Sequence, residues 1–419
     1  MRYNGPRMAN SRKKSVRLLA WQLLQQWAEG GVFAETLVAR TAQQEGLSRP
    51  DRALLQALVY DTLRNMALLD YRRKQLRSGK LEASLRWLVL VGLCQVLIQQ
   101  GADHASVNET VAAAPMRARG LVNGILRNAV RRRDEFAAEL PKLPPAIRYS
   151  APNWLVDRWV DAFEEQEAEA LLATLVQTPS LFARVNALNP PKNIPEEWEP
   201  LPGIDDWYRV PSLPQEELRA GQVYMADPAT RYSVRMLAPM PGERVLDACA
   251  APGGKSAAIL AATQGKVHLL ATDAEAHRLP MLKANLELLG GADVEVAVHD
   301  WTLPCPPVWQ GAFDAVLLDV PCSNTGVLQR RVDARWRLTP QEITRLAGVQ
   351  RQILEEGAKA VAPGGRLVYS TCSIDAEENG AVVRAFAEAH PEFEIREEHL
   401  ALPNREFGDG SYAALLVRA

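Results

Sequence analysis

With 419 residues, 47% apolar and 23% charged, the chain has the make-up of an ordinary globular protein with core enough for two or three domains. Its five cysteines, Cys94, Cys249, Cys305, Cys322 and Cys372, are odd in number and lack C-x-x-C spacing, which argues against a zinc or dithiol redox site and implies free thiols in a reducing cytoplasm. The net charge of −2 hides an asymmetry, because residues 1–140 hold 22 Lys and Arg against 12 Asp and Glu while residues 141–419 hold 26 against 38.

A basic surplus at one end fits a polyanion held through phosphate contacts, and fits equally a helical domain with a solvated basic face. The amino terminus carries Arg12, Lys13, Lys14 and Arg17, but its apolar run Leu18 to Trp21 stops at Gln22, too short for the core of a signal peptide. Apolar positions such as Leu18, Trp21, Leu24 and Trp27 recur at helical spacing, so residues 11–135 read as helices nearly throughout. The segment Asp51 to Arg64 repeats that pattern. The longest apolar stretch, Leu88 to Ile98, is broken by Gln95 and falls short of a bilayer span. A further signature is His104-Ala105-Ser106-Val107-Asn108-Glu109-Thr110-Val111 followed by Gly120-Leu121-Val122-Asn123-Gly124-Ile125-Leu126-Arg127-Asn128. These segments resemble NusB-like RNA-binding domains, and the resemblance implies a helical RNA-binding domain over residues 1–140. His104, Asn108 and Asn123 are read as structural caps or core hydrogen-bonders rather than catalysts.

Pro141-Lys142-Leu143-Pro144-Pro145 reads as a linker that cannot continue a helix. After it, Pro152-Asn153-Trp154 opens an amphipathic helix expected to run to about Val176, with Asn153 as its cap. Leu181 to Leu188 alternates like a strand, and a Pro/Trp-rich irregular stretch follows over 189–215. Residues 145–220 therefore read as a small α+β module, with Arg184 and Asn186 as candidate RNA contacts or, as readily, strand residues paired with neighbours.

From residue 221 onward strands alternate with helices, which implies parallel βαβ units. The expected strands are Arg244–Ala248, Val267–Asp273, Val294–Asp300, Asp314–Val320 and Arg366–Cys372, with Phe393–Arg396 and Ala413–Val417 as a closing antiparallel pair. Seven strands in this order suggest an α/β, Rossmann-like class I methyltransferase domain over 221–419.

The first strand runs into Asp247-Ala248-Cys249-Ala250-Ala251-Pro252-Gly253-Gly254-Lys255-Ser256, where small residues let the backbone approach a ligand. A Walker A loop needs glycine where Cys249 stands, and a dinucleotide fingerprint needs G-x-G-x-x-G, which is absent. The remaining reading is S-adenosyl-L-methionine, which has no pyrophosphate. Asp273 ends the next strand, where a carboxylate accepts hydrogen bonds from ribose hydroxyls, and Asp300 ends the one after, near an adenine amine.

The fourth strand ends Asp319-Val320-Pro321-Cys322, and the fifth ends Ser370-Thr371-Cys372-Ser373, followed by Glu377-Glu378-Asn379. A lone cysteine closing an apolar run is by default a small buried hydrophobe. Carbon 5 of a pyrimidine, however, is not nucleophilic until a thiolate adds to carbon 6, which is a task for covalent catalysis. Together with Cys249-Ala250-Ala251-Pro252-Gly253-Gly254-Lys255, these motifs resemble those of the Sun-type RNA (cytosine-5) methyltransferases, and with the NusB-like front the likeness spans almost the whole chain. It lies nearest to the bacterial members that act on small-subunit (16S) ribosomal RNA.

The resemblance implies that Cys372 is the nucleophile, that Cys322 assists loss of the carbon-5 proton and release of the enzyme, and that Asp319 hydrogen-bonds the ring. It implies S-adenosyl-L-methionine as cofactor, held at Cys249 to Lys255, Asp273, Asp300 and Asp319, with ribosomal RNA as partner, no metal, no membrane, and a monomer in the cytoplasm. DNA cytosine methyltransferases place the nucleophile in the Pro-Cys motif, so Cys322 stands as the alternative. A transfer RNA substrate and a non-catalytic RNA-binding assembly factor are the other readings. Between Thr325 and Arg337 lie Arg330, Arg331, Arg335, Trp336 and Arg337, read as contacts to single-stranded RNA. Two departures from the family pattern stand at Ala226-Asp227-Pro228 and at Asp409-Gly410-Ser411-Tyr412.

Overall fold

The structure, a computed structural model, describes residues 14–79 and 81–419, so Arg12 and Lys13 lie outside the described residues. The chain forms two compact units. The first comprises residues up to Val176 together with Val332–Trp336, and the second comprises Gln177–Arg331 with Arg337–Ala419.

The first unit is helical because its apolar positions repeat every three to four residues and its helix starts are chemically marked. Ser15 and Ser48 accept hydrogen bonds from the backbone of Leu18 and Asp51, opening the helices Val16–Glu29 and Arg49–Arg64. Leu19, Leu23, Leu24 and Trp27 meet Leu55, Leu58, Leu88 and Leu126 in one buried core, where Trp27 and Trp87 pack edge to face. The helix Ala83–Leu93 continues into a π-turn at Cys94–Ile98. There Gln95 is buried, accepting from Arg17 and donating to Val91 O and Thr110 Oγ1, so the polar break in the apolar stretch is satisfied inside the core. No helix among the described residues is long and apolar enough to cross a membrane.

Several expectations for this unit are corrected. His104 and Asn108 are exposed and hydrogen-bond each other one turn apart, and Asn123 accepts from Arg127 on the outer side of the helix Arg119–Arg131, so none is a cap or core group. The stretch 153–176 is two helices, Asn153–Ala162 and Glu165–Thr174, because Phe163 and Glu164 are extended. Asn153 is a helical residue and Pro152 takes the capping position, with no side-chain cap. The expected linker contains helical turns at Leu140–Lys142 and Pro145–Arg148, and the helices that follow it bury Leu155, Trp159 and Leu171 within the same unit. The division therefore falls after Val176, and the segment expected as one module over 145–220 is shared between the units.

Five residues from far along the chain complete the helical core. Val332 joins the apolar cluster, and one oxygen of Asp333 accepts from Trp27 Nε1 at 3.0 Å and from Ala34 N at 2.7 Å. Arg335 is fully buried and donates to the carbonyls of Ser150 and Leu175, while Trp336 Nε1 donates to Leu63 O. Burial and the nearby Arg64 push Arg335 down to about 9. Asp333→Ala leaves two buried donors without a partner and is expected to destabilise the helical unit by about 2–4 kcal/mol. The check is the first transition in thermal or urea unfolding of the full chain, which moves down while the later one stays in place.

The second unit holds two sheets. The smaller is antiparallel, with β1 (Leu181–Val185), β2 (Glu199–Pro200), β3 (Trp207–Val210) and β4 (Val223–Met225) in the order β2-β3-β1-β4. The expected strand to Leu188 stops at Val185 because Asn186, 3% exposed, turns inward, donating to Gly221 O and Leu289 O and accepting from Leu188 N. Arg184 donates to Tyr224 OH at 3.0 Å. Asn186 is thus an internal bracket and is closed to RNA, and the Arg184 guanidinium is engaged within the sheet.

The larger sheet contains β5 (Arg244–Asp247), β6 (His268–Asp273), β7 (Glu295–Val298), β8 (Phe313–Asp319), β9 (Val361–Thr371), β10 (Phe393–Ala401) and β11 (Ser411–Arg418) in the order β10-β11-β9-β8-β5-β6-β7. The five strands β5 to β9 are parallel, and β11 and β10 close the edge antiparallel, as the sequence pattern predicts. Both faces are covered. Leu246, Val316, Leu318 and Leu367 enter one core cluster while Val245, Ala315, Leu317 and Val368 enter another, which explains why the strands read as unbroken apolar runs. The order reverses at β5, whose neighbours are β6 and β8, and ligands of open α/β sheets bind outside the strand ends at such a point.

Candidate active site

At the carboxyl end of β5 the chain must turn sharply into the helix Gly254–Ala262. Gly253 makes the turn with φ +109°, a conformation that strains any other residue, and a Cβ there would stand 3.1 Å from Leu282 Cδ1, so a side chain is disfavoured by conformation and crowded in space. Asp273 at the end of β6 is 3% exposed and accepts from Ala251 N at 3.2 Å, which ties the acid to the turn. Arg278 pairs with Asp273 and donates to Ala251 O. Asp300, beyond β7, accepts from both the backbone and the hydroxyl of Thr302, and those bonds hold its carboxyl below the usual range. Asp247 is fully buried, and burial pushes it up to about 7 even though Ser256 donates to one oxygen. Its other oxygen has no partner among the described residues. Burial also pushes the Cys249 thiol up, helped by the surrounding carboxylates.

These side chains line a cavity of about 580 Å³ that includes Cys249, Ala251, Asp273, Asp300, Asp319 and both Cys322 and Cys372. Ala250, Pro252, Gly254 and Lys255 line an adjoining cleft of about 190 Å³ together with Cys249 and Asp247. The turn and the acids predicted from sequence are therefore brought to one place. Among the described residues no group of three or more His, Cys, Asp or Glu side chains is placed to hold a metal ion.

The two cysteines meet because β8 and β9 are parallel neighbours in a register that sets Asp319 beside Ser370. Three residues beyond the end of β8 and one beyond the end of β9, the Sγ atoms of Cys322 and Cys372 stand 2.9 Å apart. The backbone N of Cys372 also donates to Cys322 Sγ at 3.3 Å. Hydrogen bonding to Cys372 and burial together keep the Cys322 thiol well above its ordinary range. Asp319 accepts from Ser370 Oγ at 2.7 Å and from Lys255 Nζ at 2.6 Å. Burial opposes the Lys255 charge, but the Asp319 carboxylate more than offsets it and holds the ammonium above the usual lysine range.

Other residues that build the site went unassigned at the level of sequence. Asn324, with φ +63°, donates to Cys322 O at 2.8 Å and accepts from Cys372 Sγ at 3.1 Å. Glu378 is fully buried and accepts from Ser323 N, Ser323 Oγ and Gln350 Nε2, locking the loop after Cys322 to the helix Pro340–Ala358. Asn379 bonds Thr371 Oγ1 and Ser373 O, fixing the loop after Cys372. The Glu377-Glu378-Asn379 motif was the available signal, and its buried half is scaffolding. Gly326 N donates to Cys372 O at 3.0 Å while Gly326 O accepts from Gly410 N at 2.8 Å, so three backbone segments touch.

A second cavity, about 270 Å³, lies against the same cysteine and is lined by Cys372, Asp319, Lys255, Ser370, Asp409 and Tyr412 among others. Its far side joins the two departures noted in the sequence. Arg330 donates to Asp227 at 2.8 Å, to Asp409 at 2.6 Å and to Ser180 O at 2.9 Å, and Asp409 N donates to Asp227 Oδ1. Burial and then Asp227 push Asp409 up to about 7. The arginine-rich run therefore does not act as one RNA-facing surface. Arg330 is a strut, Arg335 and Trp336 lie inside the helical unit, and Arg331 lines both cavities.

Residues 234–415 match a family described as 16S rRNA methyltransferase RsmB/F, and residues 14–131 match the NusB family. The chain is 34% identical to the ribosomal RNA small subunit methyltransferase B of Cronobacter sakazakii, over 97% of this chain and 100% of that protein. Among solved structures, that of PH0851 superposes with a TM-score of 0.75 at 23% identity, covering 98% of this chain and 100% of the other. NSun6 from Pyrococcus horikoshii, solved with SFG, superposes with a TM-score of 0.56 at 19% identity over 64% of this chain and 98% of its own. At these identities the two structures speak to the fold.

Proposed function

Starting from a chain that belongs to the RsmB/F family of 16S rRNA methyltransferases, we propose that it transfers a methyl group from S-adenosyl-L-methionine to carbon 5 of a cytosine in small-subunit ribosomal RNA through a covalent cysteine adduct. The observation that carries this reading is the pair of sulfurs 2.9 Å apart, Cys372 lining both cavities and Cys322 the larger, with Asp319 lining both as well. One thiol would serve many purposes. Two at this separation suit a reaction that must add sulfur to a ring and afterwards remove a proton from it.

The larger cavity fits the cofactor on its own features, namely a turn at Gly253 whose positive φ strains any side chain, the buried Asp273 tied to that turn, and an oxygen of Asp247 without a partner among the described residues in the adjoining cleft. S-adenosyl-L-methionine, when bound, supplies an electrophilic methyl group. Asp273 is the residue suited to ribose hydroxyls, Asp300 to the adenine side, and the turn Cys249 to Lys255 to the amino-acid part. In the smaller cavity Asp319 meets the edge of the cytosine ring and stabilises charge as the adduct forms, with Lys255 holding Asp319 in place. Cys372 forms the bond to carbon 6, and the electron pair moves across the ring to carbon 5. After methyl transfer Cys322 assists loss of the carbon-5 proton, and rupture of the carbon 6–sulfur bond returns the pair to Cys372. Before attack, Asn324 accepts from the Cys372 thiol and orients it. The basic helical unit is the part suited to hold RNA away from the reacting base.

Bisulfite sequencing of small-subunit ribosomal RNA from cells lacking this protein tests the assignment. One cytosine protected in the parent is expected to become convertible, and an unchanged ribosomal RNA overturns the substrate.

A further inference from the structure

The two cavities share four lining residues, Asp319, Asn324, Arg331 and Cys372. Three of these are engaged. Asp319 is bonded to Lys255 and Ser370, and Asn324 and Cys372 are bonded to each other. Arg331 differs in kind, being exposed and making no ion pair or side-chain hydrogen bond among the described residues. Its neighbour Arg330 is spent on Asp227 and Asp409, and Arg278, the other arginine of the larger cavity, is spent on Asp273 and Ala251 O. The larger space also carries four acids, Asp273, Glu275, Asp300 and Asp319. Lys255, Arg278 and Arg330 are each paired with a carboxylate, so among the described residues of the two linings Arg331 is the cation left for a polyanion.

A base that reacts here has to leave its stack and enter the smaller cavity, which brings its own sugar-phosphate to the rim. We propose that Arg331 binds the phosphodiester of the target nucleotide at the rim common to both cavities, acting as the anchor that holds the extruded base against Cys372. The inference rests on the function proposed above and adds to it a residue and a ligand. The planar guanidinium suits two phosphate oxygens at once, whereas a lysine supplies charge without that fork. The phosphodiester is either the one 5′ or the one 3′ to the target, and the test separates them.

The experiment uses the full-length protein, a synthetic RNA fragment spanning the cytosine mapped by bisulfite sequencing, and methyl transfer measured over a range of salt concentrations. Arg331→Ala is expected to raise KM for RNA about five- to tenfold, with a smaller loss in kcat. The slope of log KM against log salt should fall by roughly 0.7, the value for one phosphate contact on a single strand. Arg331→Lys should restore the slope while recovering only part of the affinity. An uncharged methylphosphonate placed on either side of the target cytidine should abolish the difference between wild type and Arg331→Ala at one linkage only, which identifies the phosphate. An unchanged salt slope in Arg331→Ala, or a penalty of equal size on both methylphosphonate substrates, overturns the assignment. Failure of the wild type to methylate the charged fragment counts against the proposed function instead.

Discussion

Cys372→Ala should reduce methyl transfer by about 10⁴-fold or more, the scale on which removal of a covalent nucleophile is felt. It should leave no protein–RNA adduct on a denaturing gel. Cys322→Ala should give the opposite picture, an adduct that accumulates with cofactor present and does not resolve. The asymmetry follows from the positions of the sulfurs. The sulfurs are within reach of each other, so on the proposed route neither can be removed without stranding a step, but the step differs. Hydrogen bonding to Cys372 and burial both favour the protonated form of Cys322, which works against its attacking first. Adduct formation by Cys372→Ala, or normal turnover by that variant, would exchange the roles.

Gly326→Ala should lower kcat by about a hundredfold while leaving cofactor affinity close to that of the wild type. A Cβ at this position would lie 2.3 Å from Gly410 O and 2.9 Å from Cys372 O. Both are backbone atoms, so no side chain can swing aside to make room. The segments must separate, and the hydrogen bonds from Gly326 N to Cys372 O and from Gly410 N to Gly326 O are the ones lost. A displacement of about an ångström at a reacting group costs roughly two orders of magnitude in rate. The cofactor turn at Gly253 has no part in these contacts, so isothermal titration with S-adenosyl-L-methionine is the control. Wild-type kcat in Gly326→Ala would mean that Cys372 is held by other means.

Much of this was legible in the residues. Alternation of apolar strands with helices set the parallel sheet, because strands buried on both faces admit little but Val, Leu and Ala, as in Val245, Leu246, Leu317 and Leu318. The convergence of Cys322 and Cys372 was foreseeable from strand order, since two strand ends that are neighbours must deliver their following residues to one place. The run from Arg330 to Arg337 misled for a physical reason. Arginine and tryptophan bring the same chemistry to a phosphate and a base as to a carboxylate and a carbonyl, and only tertiary contacts distinguish Arg330 on Asp227 from Arg331 at the cavity mouth. The break at Phe163 escaped notice because apolar spacing continues through it into Ala168, Leu171 and Leu172. Glu378 and Gln350 read as surface residues by type, and their burial depends on partners nearly 30 to 55 positions away.

The insertion of Val332 to Trp336 into the helical core bears on how the protein is made. Trp27, Ala34, Ser150 and Leu175 emerge from the ribosome early, but the groups that satisfy them, Asp333 and Arg335, do not. At roughly 5–20 residues per second, the wait between Val176 and Trp336 is on the order of ten to thirty seconds. Through that interval the amino-terminal helices have to stand with an open seam, their buried donors and carbonyls unmet. The order of birth and the order of completion are reversed, and the first unit to be synthesised cannot finish until most of the second has been.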